Sequence, residues 1–359
     1  MSAGTKANLE AIAAVFRLEL RKTFLARRGL WVYLLALAPF VLFLGYTVQN
    51  KIEAQQRQEL AAHNQKPLAA ADFAAIHRGM TEAEVLARLG PPARQFRFGR
   101  RRRAANDTIE LRLDARFRYS DGSALYDIFL EDGKVMNVRP HPAPTLGDVN
   151  LLFATVFQFF YLRLAVFFGC LGIFMNLFRG ELLDKSLHFY FLAPVRRSHI
   201  LAGKFLAGLA AAVVIFCGSA AVQIWLLGRQ PGVSGLGHMG AYLGVTALAC
   251  LGYGAVFLAA GLNFKNPIVP AVALLLWESV NPFLPALLKK ISVIYYLTQL
   301  CPVSVASGPG VSPLFALLVA APAAISKSAA LIGLLLVATV VLVYSARRVR
   351  RLEIDYSAD

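Results

Sequence analysis

Six long apolar segments constrain this chain more than any other feature. A helix needs about 20 residues to cross the hydrocarbon core of a bilayer. Only 16% of the 359 residues are charged, whereas soluble domains carry about 25%. The sequence therefore predicts an α-helical integral membrane protein with six transmembrane helices. The segments cover residues 30–48, 151–178, 205–227, 239–262, 268–288 and 329–346.

Lys and Arg residues are distributed unevenly around these segments. Sixteen of them precede the first segment, follow the sixth, or lie in the loops after the second and fourth, whereas the short loops on the other side hold four. Cytoplasmic loops carry the excess of Lys and Arg, so both termini and loop 179–204 are predicted to be cytoplasmic. This clustering beside the membrane accounts for the net charge of +16, and no nucleic-acid partner is expected.

An amphipathic pattern precedes the first transmembrane segment. Glu10, Arg17 and Arg21 lie away from an apolar stripe that has helical spacing. Basic amphipathic helices of this kind lie in the membrane interface, in contact with lipid. A solvated cytoplasmic helix is the alternative. The stripe consists of Leu9, Ile12, Phe16 and Leu20.

The predicted organisation follows from these patterns. An interface helix is followed by the first transmembrane helix, a polar insert, the remaining five transmembrane helices and a short cytoplasmic tail. Two short apolar runs within residues 289–328 suggest interfacial or re-entrant helices. The corresponding ranges are 1–28, 29–48, 49–149, 150–350 and 351–359.

The insert, on the far side of the membrane, is predicted to be a small α+β domain. Thr81 and Glu84 have the spacing of a capping box at a helix start, and Gly90 can end that helix. Alternation of apolar and charged residues with intervening turns then predicts an antiparallel sheet. Its strands are expected at residues 109–119, 124–131 and 134–139.

Two sequence runs in this insert resemble a known family. IHRGMTEAEVLARLGPP and YDIFLEDGKVMNV, within residues 73–139, are similar to the SmpA/OmlA domain of small outer-membrane assembly lipoproteins. The resemblance implies the fold only, because this chain has no lipobox cysteine and is tethered at both ends. The basic run 97–103, RFGRRRR, is expected to be a solvated loop; the alternative is attraction to lipid headgroup phosphates or an acidic partner.

Sequence motifs for catalysis are missing from the chain. It contains no G-x-x-x-x-G-K-[ST] phosphate loop, no H-E-x-x-H and no G-x-S-x-G. None of the four cysteines forms a C-x-x-C pair, so these residues are expected to pack in apolar surroundings. No catalytic residue, metal site or cofactor is therefore expected on this chain.

Arg163 and Glu278 are the only ionisable residues deep in the apolar segments. A charge in this position costs about 2.5–3.5 kcal/mol on insertion scales, so it usually faces the protein interior and pairs. Both residues lie at middle depths of their segments. The sequence leaves four interpretations open: an ion pair between them, contact with substrate or another subunit, snorkelling towards the membrane surface, and a wrongly placed span boundary.

The loop 179–204, RGELLDKSLHFYFLAPVRRSHILAGK, is longer and more basic than a simple connection requires. Together with the segment order, it resembles the permease subunit of type-two (exporter class) ABC transporters, over residues 1–48 and 150–350. The matching positions are Glu181, Leu192, Pro194, Arg196, Arg197, Ser198, Ile200, Leu201, Gly203 and Lys204.

The resemblance implies a permease in the bacterial inner membrane that works as a dimer with a second copy or a paralogue. A separate ABC ATPase would hold ATP and Mg and drive export of an unidentified substrate. The alternative for the loop is a surface helix held by anionic lipid. The residues expected to contact the ATPase are Glu181, Pro194, Val195, Arg196, Arg197 and Ser198.

Two other functions remain open at this point. A membrane-anchored envelope assembly or scaffold protein would act through the insert and use its helices only as an anchor. An intramembrane enzyme would need a set of polar catalytic residues within the apolar segments, and the sequence offers only Arg163 and Glu278 there.

Overall fold

The computed structural model describes residues 10, 12–20, 30–64, 66–103, 109–178, 196–230, 238–264, 266–303, 305 and 325–351. The chain divides into two compact units. The membrane unit consists of Met1–Leu44, Asp148–Gly228 and Gly235–Asp359, and the sheet unit consists of Gly45–Gly147 and Arg229–Ser234.

The secondary structure is mostly helical, with one small sheet. The helices are α1 (12–20), α2 (Leu30–Ala62), α3 (Ala70–Ala74), α4 (Glu82–Leu89), α5 (Leu146–Phe178), α6 (Arg197–Leu227), α7 (Met239–Asn263), α8 (Ile268–Val280), α9 (Ala286–Lys289), α10 (Val293–Leu300) and α11 (Lys327–Arg350). The strands are β1 (Arg94–Arg103), β2 (Ile109–Ser120), β3 (Ala124–Glu131) and β4 (Lys134–Pro142).

Five helices among the described residues are long and apolar enough to cross a membrane: α2, α5, α6, α7 and α11. The chain is therefore a multi-pass membrane protein. In the membrane unit, α7 packs against α5, α6 and α11. Rings of Phe153, Phe157 and Tyr242 meet at centroid distances of 4.8–5.7 Å and fill the contact between α5 and α7.

The fifth predicted segment, 268–288, is not one continuous helix, so the predicted count of six transmembrane helices is not confirmed. The helix α8 has 13 residues, which is about 20 Å at 1.5 Å per residue and too short for the bilayer core. A single 3₁₀ turn at Asn281–Phe283 and then α9 follow it. Pro282 and Pro285 supply no backbone N–H and end the regular helix.

Two other helices are longer than their apolar segments. The polar stretch after residue 48 stays helical to Ala62, because Gln, Glu, Lys and Ala are good helix formers even where they are too polar for lipid. In the same way α6 begins at Arg197, eight residues before the apolar segment that predicted it. The short helix α10 agrees with the expectation of a short helix within residues 289–328, whereas 306–324 lie outside the described residues.

The middle of α5 has an unusual backbone. Residues Phe157–Val166 form a π-helix, with α-helix on both sides. A π-helix widens the turn to i→i+5 hydrogen bonds, is rare, and is frequently found at functional sites. This stretch includes Arg163.

The sheet unit contains an antiparallel sheet with strand order β1-β2-β3-β4. Helices α3 and α4 contribute Phe73 and Val85 to a core that also contains Phe117 and Ile128. The predicted capping box is confirmed: Thr81 Oγ1 accepts from the Glu84 N–H at 3.4 Å, and Glu84 Oε2 accepts from the Thr81 N–H at 2.8 Å. These hydrogen bonds fix the start of α4.

The expectation that the basic run 97–103 is a loop is wrong, because this run lies in the edge strand β1. The strand pairs with β2 from Arg94 opposite Arg118 to Arg103 opposite Ile109. Pairing with β2 satisfies backbone groups that a loop would leave to water. A dense run of arginines hides this strand in the sequence, because like charges mask the alternation that identified β2.

Candidate functional site

The predicted ATPase-contact residues include the start of α6. Arg196 is the N-cap, with extended backbone, and Arg197 is the first helical residue. The Arg197 Nη1 donates to the backbone oxygen of Arg350, at the end of α11, at 3.4 Å. Arg196 is exposed, and Arg197 and Ser198 are partly exposed, so all three are accessible at this end of the helix.

The other predicted contact residues are not described. Glu181, Pro194 and Val195 lie outside the described residues, as does the whole of 179–195. Arg196 and the start of α6 are therefore the described part of the predicted contact segment.

A buried ion pair attaches α1 to α6. Lys204 Nζ lies 2.7 Å from Glu19 Oε1, and the side chains are 0% and 6% exposed. Lys204 Nζ also donates to the backbone oxygen of Leu177 at 3.1 Å and lies 5.5 Å from the Phe178 ring centroid. One ammonium group therefore connects α1, the end of α5 and the start of α6.

Gly203 allows this close contact between α1 and α6. A Cβ atom at this position would lie 2.9 Å from the Cβ of Val15 and 3.0 Å from the backbone oxygen of Ile12. The Gly-Lys pair at the end of loop 179–204 thus has two local roles, since the glycine makes room for α1 and the lysine binds it.

Glu19 was missed by the sequence interpretation, although a signal was present. The residue stands three positions after Phe16 and seven after Ile12, which places a carboxylate on the side of the helix that carries the apolar stripe. An acidic residue on that face needs a buried cationic partner, and Lys204 meets this need.

Arg163, in the π-helical part of α5, makes different contacts. Its Nε is buried without a hydrogen-bond partner, and the guanidinium lies 5.3 Å from the Phe159 ring centroid. Within the described part of the chain it forms no ion pair. Glu278 is close enough to interact with it electrostatically, but the two residues form no direct ion pair within 4 Å.

The Glu278 carboxylate is already engaged elsewhere. It accepts hydrogen bonds from the Ser292 hydroxyl and from the backbone N–H groups of Val293 and Ile294, at 3.1 and 3.2 Å for the N–H groups. These N–H groups belong to the first turn of α10, which has no partner for them within the helix. Glu278 therefore caps α10 and joins it to α8.

The sheet unit contains a buried charge with several partners. Asp127 is 1% exposed and lies within 3.3 Å of His141 Nε2, while Arg116 and Arg118 donate to its carboxylate. Burial by itself raises the pKa of Asp127, but the hydrogen bonds and charges of Arg118 and Arg116 outweigh it and hold the pKa below its usual value. The folded sheet unit thus favours the ionised carboxylate.

A comparison with protein families now identifies the kind of protein to which these helices belong. Residues 13–349 match the family model described as ABC-2 family transporter protein. The chain belongs to the ABC-2 transporter family. No curated protein and no solved structure matches the chain significantly.

The ABC-2 match covers both the start of α1 and most of α11. Proteins of this family are membrane components of ABC transporters and normally work with an ABC ATPase. Membership in the ABC-2 family therefore agrees with the permease resemblance drawn from loop 179–204, and the helices described above are those of a transport subunit.

Proposed function

We propose that this chain is the permease subunit of an ABC exporter, driven by a separate ATPase that binds at the start of α6. In this proposal ATP and Mg are bound by the ATPase, and the permease works as a dimer with a second copy or a paralogue. It lies in a bacterial inner membrane with both termini in the cytoplasm, as the distribution of Lys and Arg favours.

The observation that carries the proposal is the continuity of Arg196–Ser198 with a 31-residue helix. A force applied at these residues acts directly on α6, because an α-helix resists bending over a few turns. The Lys204–Glu19 ion pair then links α1 to the same helix. Motion at the ATPase surface would thus reach α6 and α1 together, which is the requirement for coupling.

The sheet unit belongs to this proposal as an extracytoplasmic domain between the first two transmembrane helices. Its α4 and the strands after it fit the SmpA/OmlA-like pattern in residues 73–139. Only the fold is proposed from this likeness.

Reversing the charges of Arg196 and Arg197 tests the coupling surface. The tagged full chain is expected to co-purify with an ABC ATPase. We expect the double variant Arg196→Glu, Arg197→Glu to bind the ATPase at least tenfold more weakly and to insert normally into the membrane. Lys289→Glu with Lys290→Glu is the matched control, because it makes the same change of charge on the side predicted to face away from the cytoplasm.

Two results would contradict the proposal. A wild-type chain that never brings down an ATPase would remove the permease function. Loss of membrane insertion in the Arg196 and Arg197 double variant would instead favour the alternative that loop 179–204 is only a lipid-bound surface helix.

A second function, envelope assembly or scaffolding through the sheet unit, is favoured by one observation. Phe96 and Phe98 of β1 are 42% and 54% exposed and stack with ring centroids 6.5 Å apart, and exposed aromatic side chains are typical of binding surfaces. Phe96→Ser with Phe98→Ser separates the two functions, since a scaffold would lose its partner and a permease would keep its ATPase.

A further inference from the structure

We infer that Arg163 binds an anionic group, a carboxylate or phosphate, of an amphiphilic compound within the membrane unit. The inference rests on the proposed function only in taking this compound to be the transported substrate. It starts from the state of the guanidinium, which is buried at Nε without a partner and forms no ion pair with any described residue.

Among the residues that the structure describes, no carboxylate forms an ion pair with Arg163. Between residues 149 and 350 the sequence has three acidic residues, Glu181, Asp184 and Glu278. The first two lie in loop 179–204, outside the apolar segments. Glu278 is committed to capping α10 through three hydrogen bonds.

An unpaired guanidinium in an apolar segment is costly, and intramembrane charges usually mark a substrate or ion path. A second unsatisfied group lies nearby, since the Tyr253 hydroxyl of α7 is buried without a partner and interacts electrostatically with both Arg163 and Glu278. An anion could accept hydrogen bonds from both the guanidinium and this hydroxyl.

The surroundings of Arg163 indicate that the bound compound also has an apolar part. The guanidinium lies over the Phe159 ring, and the neighbouring turns of α5 present Phe157 and Tyr161 to the aromatic core. The π-helix that carries Arg163 widens the backbone at this point. A compound with an anionic head group and an alkyl or aryl body matches a single positive charge that is surrounded by aromatic rings.

Binding of decyl phosphate to the full chain in phosphatidylcholine nanodiscs tests the inference. Empty nanodiscs correct for partitioning into lipid, and equilibrium dialysis measures the bound probe. The wild-type chain is expected to bind decyl phosphate saturably and at least tenfold more tightly than decanol or decyltrimethylammonium. Arg163→Gln is expected to lose at least tenfold in affinity for decyl phosphate and to bind decanol as before.

Two further variants make the result specific. Arg347→Gln removes one exposed positive charge from α11 and is expected to bind decyl phosphate within twofold of wild type. Arg163→Lys keeps the positive charge but lacks the planar guanidinium with its fixed set of donors. Its affinity for decyl phosphate is expected to lie between those of wild type and Arg163→Gln. If Arg163→Gln does not fold, a lower affinity for decyl phosphate in Arg163→Lys than in wild type and in Arg347→Gln decides the matter, and equal affinity of the three overturns the inference.

The inference is overturned if wild type binds the three probes equally, or if folded Arg163→Gln binds decyl phosphate as wild type does. Its failure is distinct from failure of the proposed function, because no ATPase takes part in the measurement. A chain that binds the anion but never co-purifies with an ATPase would keep the site and lose the coupling proposal.

Discussion

Asp127 in the sheet unit and Arg163 in the membrane unit are buried charges with opposite surroundings. In the sheet unit, Asp127 is surrounded by Arg116, Arg118 and His141. In the membrane unit, Arg163 has one aromatic ring beneath it and no hydrogen bond from its buried Nε. A charge with several charged partners stabilises the fold, whereas a charge without an ion-pair partner among the described residues is available to a group from outside the chain.

The Lys204–Glu19 pair is the membrane unit's own example of a satisfied charge, and breaking it should have the largest effect. Lys204→Met leaves Glu19 buried without a cation, which costs about 3–5 kcal/mol. Equilibrium unfolding of the full chain in mixed SDS and maltoside micelles measures the loss. A double-mutant cycle with Glu19→Gln should give a coupling energy of about 2 kcal/mol, and a coupling near zero would show that the pair does not act as a unit.

Removing the Asp127 charge should weaken the sheet unit by about 3 kcal/mol, because two arginines lose a buried partner. Asp127→Asn is expected to increase hydrogen exchange in β3 and β4. Since the folded state holds the pKa of Asp127 below its usual value, this stabilisation is complete above the unfolded pKa of about 4 and is lost as the pH falls through the folded pKa.

The pH dependence of hydrogen exchange provides the control for that experiment. The difference in hydrogen exchange between wild type and Asp127→Asn should stay constant between about pH 6 and pH 8, and it should shrink below about pH 4. A difference that stays the same at low pH would mean that shape, and not charge, makes Asp127 important.

Glu278 lies between the two extremes, because it has hydrogen bonds but no direct ion pair. Glu278→Gln keeps one acceptor oxygen and loses the charge that favours a helix start, so the expected cost is about 1–2 kcal/mol. Hydrogen exchange over residues 292–300 measures how far α10 frays. Unchanged exchange together with unchanged ATPase binding and transport would remove every functional role proposed for this residue.

Arg163→Gln should have the smallest effect on stability. Because the guanidinium has no ion-pair partner among the described residues, the free energy of unfolding without ligand should change by less than about 0.5 kcal/mol or increase. The same unfolding assay as for Lys204 measures it. A loss above about 2 kcal/mol would place Arg163 with Asp127, as a structural charge, and contradict its role as a binding residue.

Local patterns in the sequence predicted much of the fold. The capping box of Thr81 and Glu84, the strands β2 and β3, and all five long apolar helices follow from residue spacing and apolar length alone. The polar residues after residue 48 wrongly suggested that the first helix ends there, and the arginines of residues 97–103 wrongly suggested a loop. Both errors arose because polarity was taken to mark the end of an element. Polarity determines where lipid contact ends, whereas hydrogen bonding determines where a helix or strand ends.

The candidate site divides in the same way. The sequence identified Arg163, Glu278 and the basic start of α6 as unusual residues, because each is a charge in an unexpected place. The sequence did not show that Glu278 caps α10 or that Glu19 pairs with Lys204. Glu19 and Lys204 are 185 residues apart in the chain, so no local pattern joins them.

By itself, then, the sequence determined a multi-pass membrane protein of mostly helical structure, since apolar length and charge are properties that each segment carries alone. Only the tertiary structure decided which buried charges are paired, where the fifth apolar segment breaks, and that β1 is a strand. These depend on partners brought together by folding, and the free energy of a buried charge depends on its partners more than on its own identity.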